Sequence, residues 1–155
     1  MIQRIQTIYL LLTTILAGLF LTGDIFKLIS GVTSKLIMNF RGIFEITAEN
    51  DFTLSGKVFP VFLVSVLLPL ISFISIFLYK NRNIQLKVTL ILIILEVLLT
   101  VLITYYTIRF IQRFEASLVP GFRMFIPLIL VVFSIMAYRG IKRDENLVRS
   151  YDRLR

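Results

Sequence analysis

A chain of 155 residues that is 57% hydrophobic and only 17% charged cannot clothe itself in a water-compatible surface, which excludes an ordinary soluble domain and points to an integral membrane protein. Its formal charge of +8 must then flank apolar segments, where anionic lipid headgroups are the default counter-charge. With no Cys and no His, the sequence excludes disulfides, thiol chemistry, Cys/His zinc sites and every His-dependent triad.

Four apolar runs follow one another along the chain, each near the roughly 20 residues that cross about 30 Å of hydrocarbon. The first, Ile5–Thr22, follows Arg4 but has no small-x-small cleavage site after it, and it reads as an uncleaved helix rather than a signal peptide. The connection 23–57 is too long for a simple loop. Within it, Ile25, Ile29, Val32, Leu36 and Phe40 share one helical face, which predicts an interfacial helix in spite of Gly31 and the β-branched residues. Next, "IFEITAENDFTLSG" predicts two short strands, Phe44–Thr47 and Phe52–Ser55, about a turn at Ala48–Asp51.

The second run is Val58–Tyr79, in which Pro60 falls in the first turn, where a missing N–H is harmless, while Pro69 should bend the helix. After the short basic turn Lys80–Lys87 comes the third run, Val88–Ile111. The fourth, Phe122–Tyr138, begins beside Arg123, whose stem can snorkel to the interface, and Pro127 is expected to bend it. The remaining segment, 139–155, spaces Leu147, Tyr151 and Leu154 at i, i+4 and i+7, with Arg149 and Arg153 on another face, and predicts a short amphipathic helix continuing the fourth. Glu145 and Arg149 stand in the favourable i, i+4 order. The expected fold is therefore an all-α membrane protein of one domain, residues 1–155: a four-transmembrane-helix bundle with a small outer loop subdomain and an amphipathic C-terminal tail.

Orientation follows from the cations. In a four-crossing arrangement Arg4, Lys80, Arg82, Lys87, Arg139, Lys142, Arg143, Arg149, Arg153 and Arg155 share one side, ten of the 17 Lys and Arg, and they crowd the helix ends. The other seven are spread through loops with five acids among them, except that Arg109, Arg113 and Arg123 cluster on that side. Both termini are accordingly expected in the cytoplasm.

One residue within the spans is chemically distinctive. Glu96, in "LILIILEVLLTV", lies about 12 Å along the third span from Val88, where a carboxylate is expensive unless it faces the bundle interior or water. Thr13, Thr14 and Ser72 lie at similar depth and Thr100 one turn further on; their hydroxyls can satisfy a protonated Glu96 by hydrogen bonds. A lone carboxylate offers no paired acid and base, so no enzyme is expected, and no cofactor. The outer acids Asp24, Glu45, Glu49, Asp51 and Glu115 lack metal-loop spacing and read as solvated charges.

The opening "MIQRIQT", the turn "FLYKNRNIQ" and the ending "YRGIKRDENLVRSYDRLR" resemble a family of small four-helix inner-membrane proteins of Bacteroidota known only as a domain of unknown function. The resemblance spans both ends and the middle, but not the outer loop, and implies a four-crossing bacterial membrane protein with no activity attached. All three segments fall on the cytoplasmic side of the charge-derived topology. The expectation is an accessory or assembly subunit that binds other membrane components there, whether a partner membrane protein or a second copy, with Arg4, Lys80, Arg82, Lys87, Lys142, Arg143, Arg149, Arg153 and Arg155 serving either docking or contact with lipid headgroups, the tail then being a topology anchor whose apolar face lies on lipid. The interleaved acids of the tail argue against nucleic acid. The alternative is a small transporter or channel component centred on Glu96.

Overall fold

The computed structural model describes residues 5–30, 34–46 and 52–152. Four helices carry the architecture: α1 (Ile5–Phe20), α2 (Phe59–Phe77), α3 (Arg82–Phe114) and α4 (Ile126–Asp152). They pack in chain order as a ring, α1 on α2, α2 on α3, α3 on α4, and α4 back on α1. Single 3-10 turns at Leu78–Lys80 and Phe122–Phe125 lead out of α2 and into α4.

The helix bounds differ from the hydropathy spans in ways that have local causes. Helix α3 is far longer than Val88–Ile111, because Arg82, Gln85 and Lys87 before the apolar run and Gln112 and Arg113 after it are good helix formers that continue its turns. It stops at Glu115, whose φ of 45° is the left-handed conformation that breaks the helical register. Pro60 lies at the start of α2 as expected, and Pro69 is inside it. Pro127 is the second residue of α4 and so occupies a first turn, where no helical hydrogen bond is lost; the expected bend has no cause there. The helical part of the tail prediction holds as far as the structure describes it, since α4 runs without a break to Asp152; of the residues expected on its apolar face only the Leu147 side chain is described, and it is exposed.

The fold is not all-α. Residues expected as an interfacial helix form a hairpin instead, β1 (Phe26–Ser30) with β2 (Ser34–Asn39), and β3 (Gly42–Ile46) and β4 (Phe52–Lys57) extend it. A fifth strand, β5 (Ser117–Pro120), enters from the α3–α4 connection, giving an antiparallel sheet in the order β4-β3-β2-β1-β5. The two strands predicted after residue 43 are therefore present with shifted bounds, and the turn at Ala48–Asp51 lies outside the described residues. Alternation explains the correction. Phe26, Leu28, Leu36 and Met38 are buried at every second position of their strands, with buried Ile43 paired to Met38, while Lys27 and Ile29 are exposed. The helical face drawn through Ile25, Ile29 and Leu36 mixed residues from both sides of the sheet.

Local chemistry turns the chain where the sheet needs it. Asn39 Oδ1 accepts from the backbone N–H groups of Arg41 at 2.9 Å and Gly42 at 3.1 Å, closing the β2–β3 turn from its own side chain. Pro120 is tolerated because β5 is an edge strand. At Gly121 a Cβ would stand 2.7 Å from the Ile25 carbonyl oxygen, so only glycine permits the close pass between β5 and the start of β1. The sheet's buried face joins the helix core in one continuous apolar cluster that includes Phe20, Val58, Val61 and Ile126. It closes the end of the bundle at which α1 finishes and α2 begins; the α2–α3 turn and the end of α4 lie at the other.

Candidate functional site: a polar seam inside an apolar bundle

Each helix buries a single narrow seam. Its members recur at steps of three and four: Gln6, Leu10, Thr13, Ala17 and Phe20 on α1, Leu68, Ser72 and Ser75 on α2, Gln85, Thr89, Leu92, Glu96, Leu99 and Ile103 on α3, and Leu130, Ser134, Ala137 and Ile141 on α4. That spacing keeps one stripe on the bundle axis in near-parallel packing. The remaining faces are apolar and exposed; on α3 alone, Leu90, Ile91, Ile94, Val97, Leu98 and Val101 are at least 42% exposed. The usual arrangement of a soluble bundle is thus inverted, with an outer surface fit for lipid and polar groups gathered inside.

Three buried polar clusters follow one another along the seam. Nearest the tail end, Gln85 donates from Nε2 to the Ser75 carbonyl at 3.0 Å, and Thr89 Oγ1 donates to the Gln85 carbonyl at 2.8 Å, leaving the Ser75 hydroxyl, 3.3 Å away, to donate to Thr89. Gln85 Oε1 has no hydrogen-bond partner among the described residues. Gln6 is buried against α4 at Gly140, where an added Cβ would meet its own at 3.3 Å. This cluster locks the α2–α3 turn into the bundle.

The second cluster joins α1 to α2. Thr14 Oγ1 and Ser72 Oγ are 2.9 Å apart and both approach the Leu10 carbonyl, at 2.9 and 3.0 Å, so two hydroxyl protons serve three contacts. Thr13 bonds the Tyr9 carbonyl of its own helix at 2.9 Å. None of these three hydroxyls reaches Glu96, contrary to the sequence expectation. Equal depth places groups at one level of the bundle; which helix faces which decides the pairing.

Glu96 sits in the third cluster, wholly buried between α3 and α4. Its side-chain partner is Ser134, whose hydroxyl donates to Oε1 at 2.7 Å, while Oε2 has no hydrogen-bond partner among the described residues. Thr100 touches Glu96 only through the backbone, donating to its carbonyl at 2.9 Å, the ordinary i−4 bond of a helical threonine. Sequence reasoning missed Ser134, although it is the lone polar residue between Pro127 and Tyr138, a signal of the same kind as Glu96 itself.

Of the cations expected on the tail side, Arg82 donates from Nη1 to the Asp144 carbonyl at 2.8 Å, tying the α2–α3 turn to α4. Lys80, Lys87, Lys142 and Arg143 are exposed. Arg149 lies on α4, and Arg4, Arg153 and Arg155 lie outside the described residues. No group of His, Cys, Asp and Glu suited to a metal ion occurs among the described residues.

Three helical stretches, Phe59–Lys80, Arg82–Phe114 and Phe122–Leu147, are long and apolar enough to cross a membrane, and α1 is a shorter apolar helix of 16 residues. Together with the inverted bundle they define an integral membrane protein of the helical class, carrying a small antiparallel sheet at one end. Within that class the chain belongs to the family described as Domain of unknown function (DUF4293), matched over residues 2–154. No curated protein matches it.

Proposed function

We propose that the chain is a non-enzymatic accessory or assembly subunit of the bacterial inner membrane, crossing it four times with both termini in the cytoplasm and binding a partner membrane protein through its tail end. The observation that carries this reading is the course of α4. It continues beyond Ile141, its last fully buried residue among those described, and there Arg139, Lys142, Arg143, Asn146 and Leu147 border an open groove of about 400 Å³. The bond from Arg82 to the Asp144 carbonyl anchors the base of that extension, so a charged surface is held out from the bundle in a set orientation. Four crossings are supported by the packing of α1 between α2 and α4 along the same seam, even though its 16 residues span only about 24 Å.

Co-purification tests the proposal. From native membranes in mild detergent, the full chain should retain a stoichiometric partner, and deletion of 147–155 should lose it while the helices remain inserted. Arg139→Lys with Arg143→Lys should weaken the association several-fold, because a lysine cannot grip a carboxylate with the planar two-point geometry of arginine. Should both variants keep the full partner set, the tail is an anchor on lipid headgroups and nothing more.

A second reading, a small transporter or channel component with Glu96 as a proton or cation site, is favoured by one observation. Glu96 Oε2 is buried on the bundle axis without a hydrogen-bond partner among the described residues, an acceptor position at membrane depth.

A further inference from the structure

Several cations of the described residues gather at the sheet end. Arg123 donates to Thr22 Oγ1 at 3.5 Å, and Lys27 stands 4.0 Å from Asp24. Arg109 and Arg113 have no carboxylate within ion-pair distance among the described residues, and both are exposed on α3, one turn apart and so about 6 Å along the axis. Each guanidinium is instead stacked on a ring, Arg109 at 5.7 Å from the centroid of Tyr105 and Arg113 at 5.6 Å from that of Phe114. With Tyr105, Tyr106, Phe110 and Gln112 they border a cleft of about 510 Å³.

We infer that this cleft binds the headgroup of an anionic phospholipid, its phosphate held between Arg109 and Arg113. Two arginines on successive turns that border one cleft can direct planar donors at phosphate oxygens, and stacking on the rings removes part of the conformational freedom that binding would otherwise cost. Gln112 and Tyr105 add neutral donors at the rim. Toward the bundle centre the same helix exposes Ile108, Val101 and Leu98, an apolar track for acyl chains continuous with the cleft. A free anion would use the arginines and ignore that track, whereas a lipid uses both. Zwitterionic lipids carry the same phosphate beside an ammonium group, which two guanidiniums repel; the site should therefore discriminate by net charge. The inference needs α3 to cross a membrane, and depends on neither the orientation nor the subunit role proposed above.

Lipid binding to the purified full chain, followed by native mass spectrometry in a neutral detergent, tests it. Phosphatidylglycerol should be retained in preference to phosphatidylcholine by roughly tenfold or more, the scale set by two cations near a headgroup. Arg109→Gln with Arg113→Gln should remove most of that preference, Arg109→Lys with Arg113→Lys should keep part of it, and Arg139→Gln with Arg143→Gln, at the other end of the bundle, should remove less. Because all four side chains are exposed, thermal unfolding of all three variants should match the parent. A preference unchanged within twofold in the Arg109→Gln and Arg113→Gln double variant overturns the inference. So does displacement of phosphatidylglycerol by inorganic phosphate at equal concentration, which would mark a site for a free anion.

Discussion

At Glu96 a single neighbour decides the chemistry. The Ser134 hydroxyl gives Oε1 its hydrogen bond at 2.7 Å, and the neighbouring seam positions are the apolar Leu92 and Leu99 on α3 and Leu130 and Ala137 on α4. Removing that donor by Ser134→Ala should cost about 1–3 kcal/mol in detergent thermal unfolding, the penalty for a buried polar group left without its partner. Glu96→Gln preserves shape and still accepts from Ser134, so stability should stay within about 1 kcal/mol of the parent. The same variant separates the two functional readings: in proteoliposomes, loss of a proton or cation flux with the fold intact would displace the subunit reading, and an unchanged flux baseline would retire the transporter. That Glu96 is buried was legible in the sequence, since a charge in an apolar run must face inward. That Ser134 is its partner was not, because the two are 38 residues apart and meet only where α3 and α4 adjoin.

At the level of elements, the hairpin β1–β2 is where local pattern and tertiary demand diverge. Between Ile25 and Phe40 the apolar residues fit both a helical stripe and an alternating strand, and their number does not choose between them. The choice came from the sheet, in which Phe26 pairs with Met38 and with Pro120, and Leu28 with Leu36 and Leu118. β5 is a four-residue strand with a proline, too short to announce itself, and it exists because β1 offers it an edge. The registers make opposite forecasts for neighbouring residues. Leu28 is 1% exposed and Ile29 43%, so Leu28→Ala should lower stability by about 2–5 kcal/mol while Ile29→Thr should change it by no more than about 0.5 kcal/mol. A helix in this segment would bury Ile29 with Ile25, and a large loss at Ile29 in the same unfolding assay would reinstate it.

Across the whole molecule, the two ends differ in kind: a sheet gathers the α1–α2 and α3–α4 connections at one, and a short turn and the extension of α4 occupy the other. In the proposed orientation the tail end is cytoplasmic. Reporter fusions after Arg155 and within 80–87 should then read as cytoplasmic and fusions within 47–51 as external; an external C-terminus would reverse the assignment and move the proposed docking surface out of the cytoplasm. Membrane class, the existence of four apolar helices, the helical tail and the buried place of Glu96 followed from the sequence alone. Each depends on composition or on periodicity along one segment, and a residue's own neighbours in the chain carry that information. The tertiary structure decided the five-stranded sheet and the pairing of Thr14 with Ser72, of Glu96 with Ser134 and of Arg123 with Thr22. These depend on which segments meet in space: backbone groups at the bundle end complete their hydrogen bonds with a distant strand, and a buried side chain bonds whatever donor the adjoining helix presents.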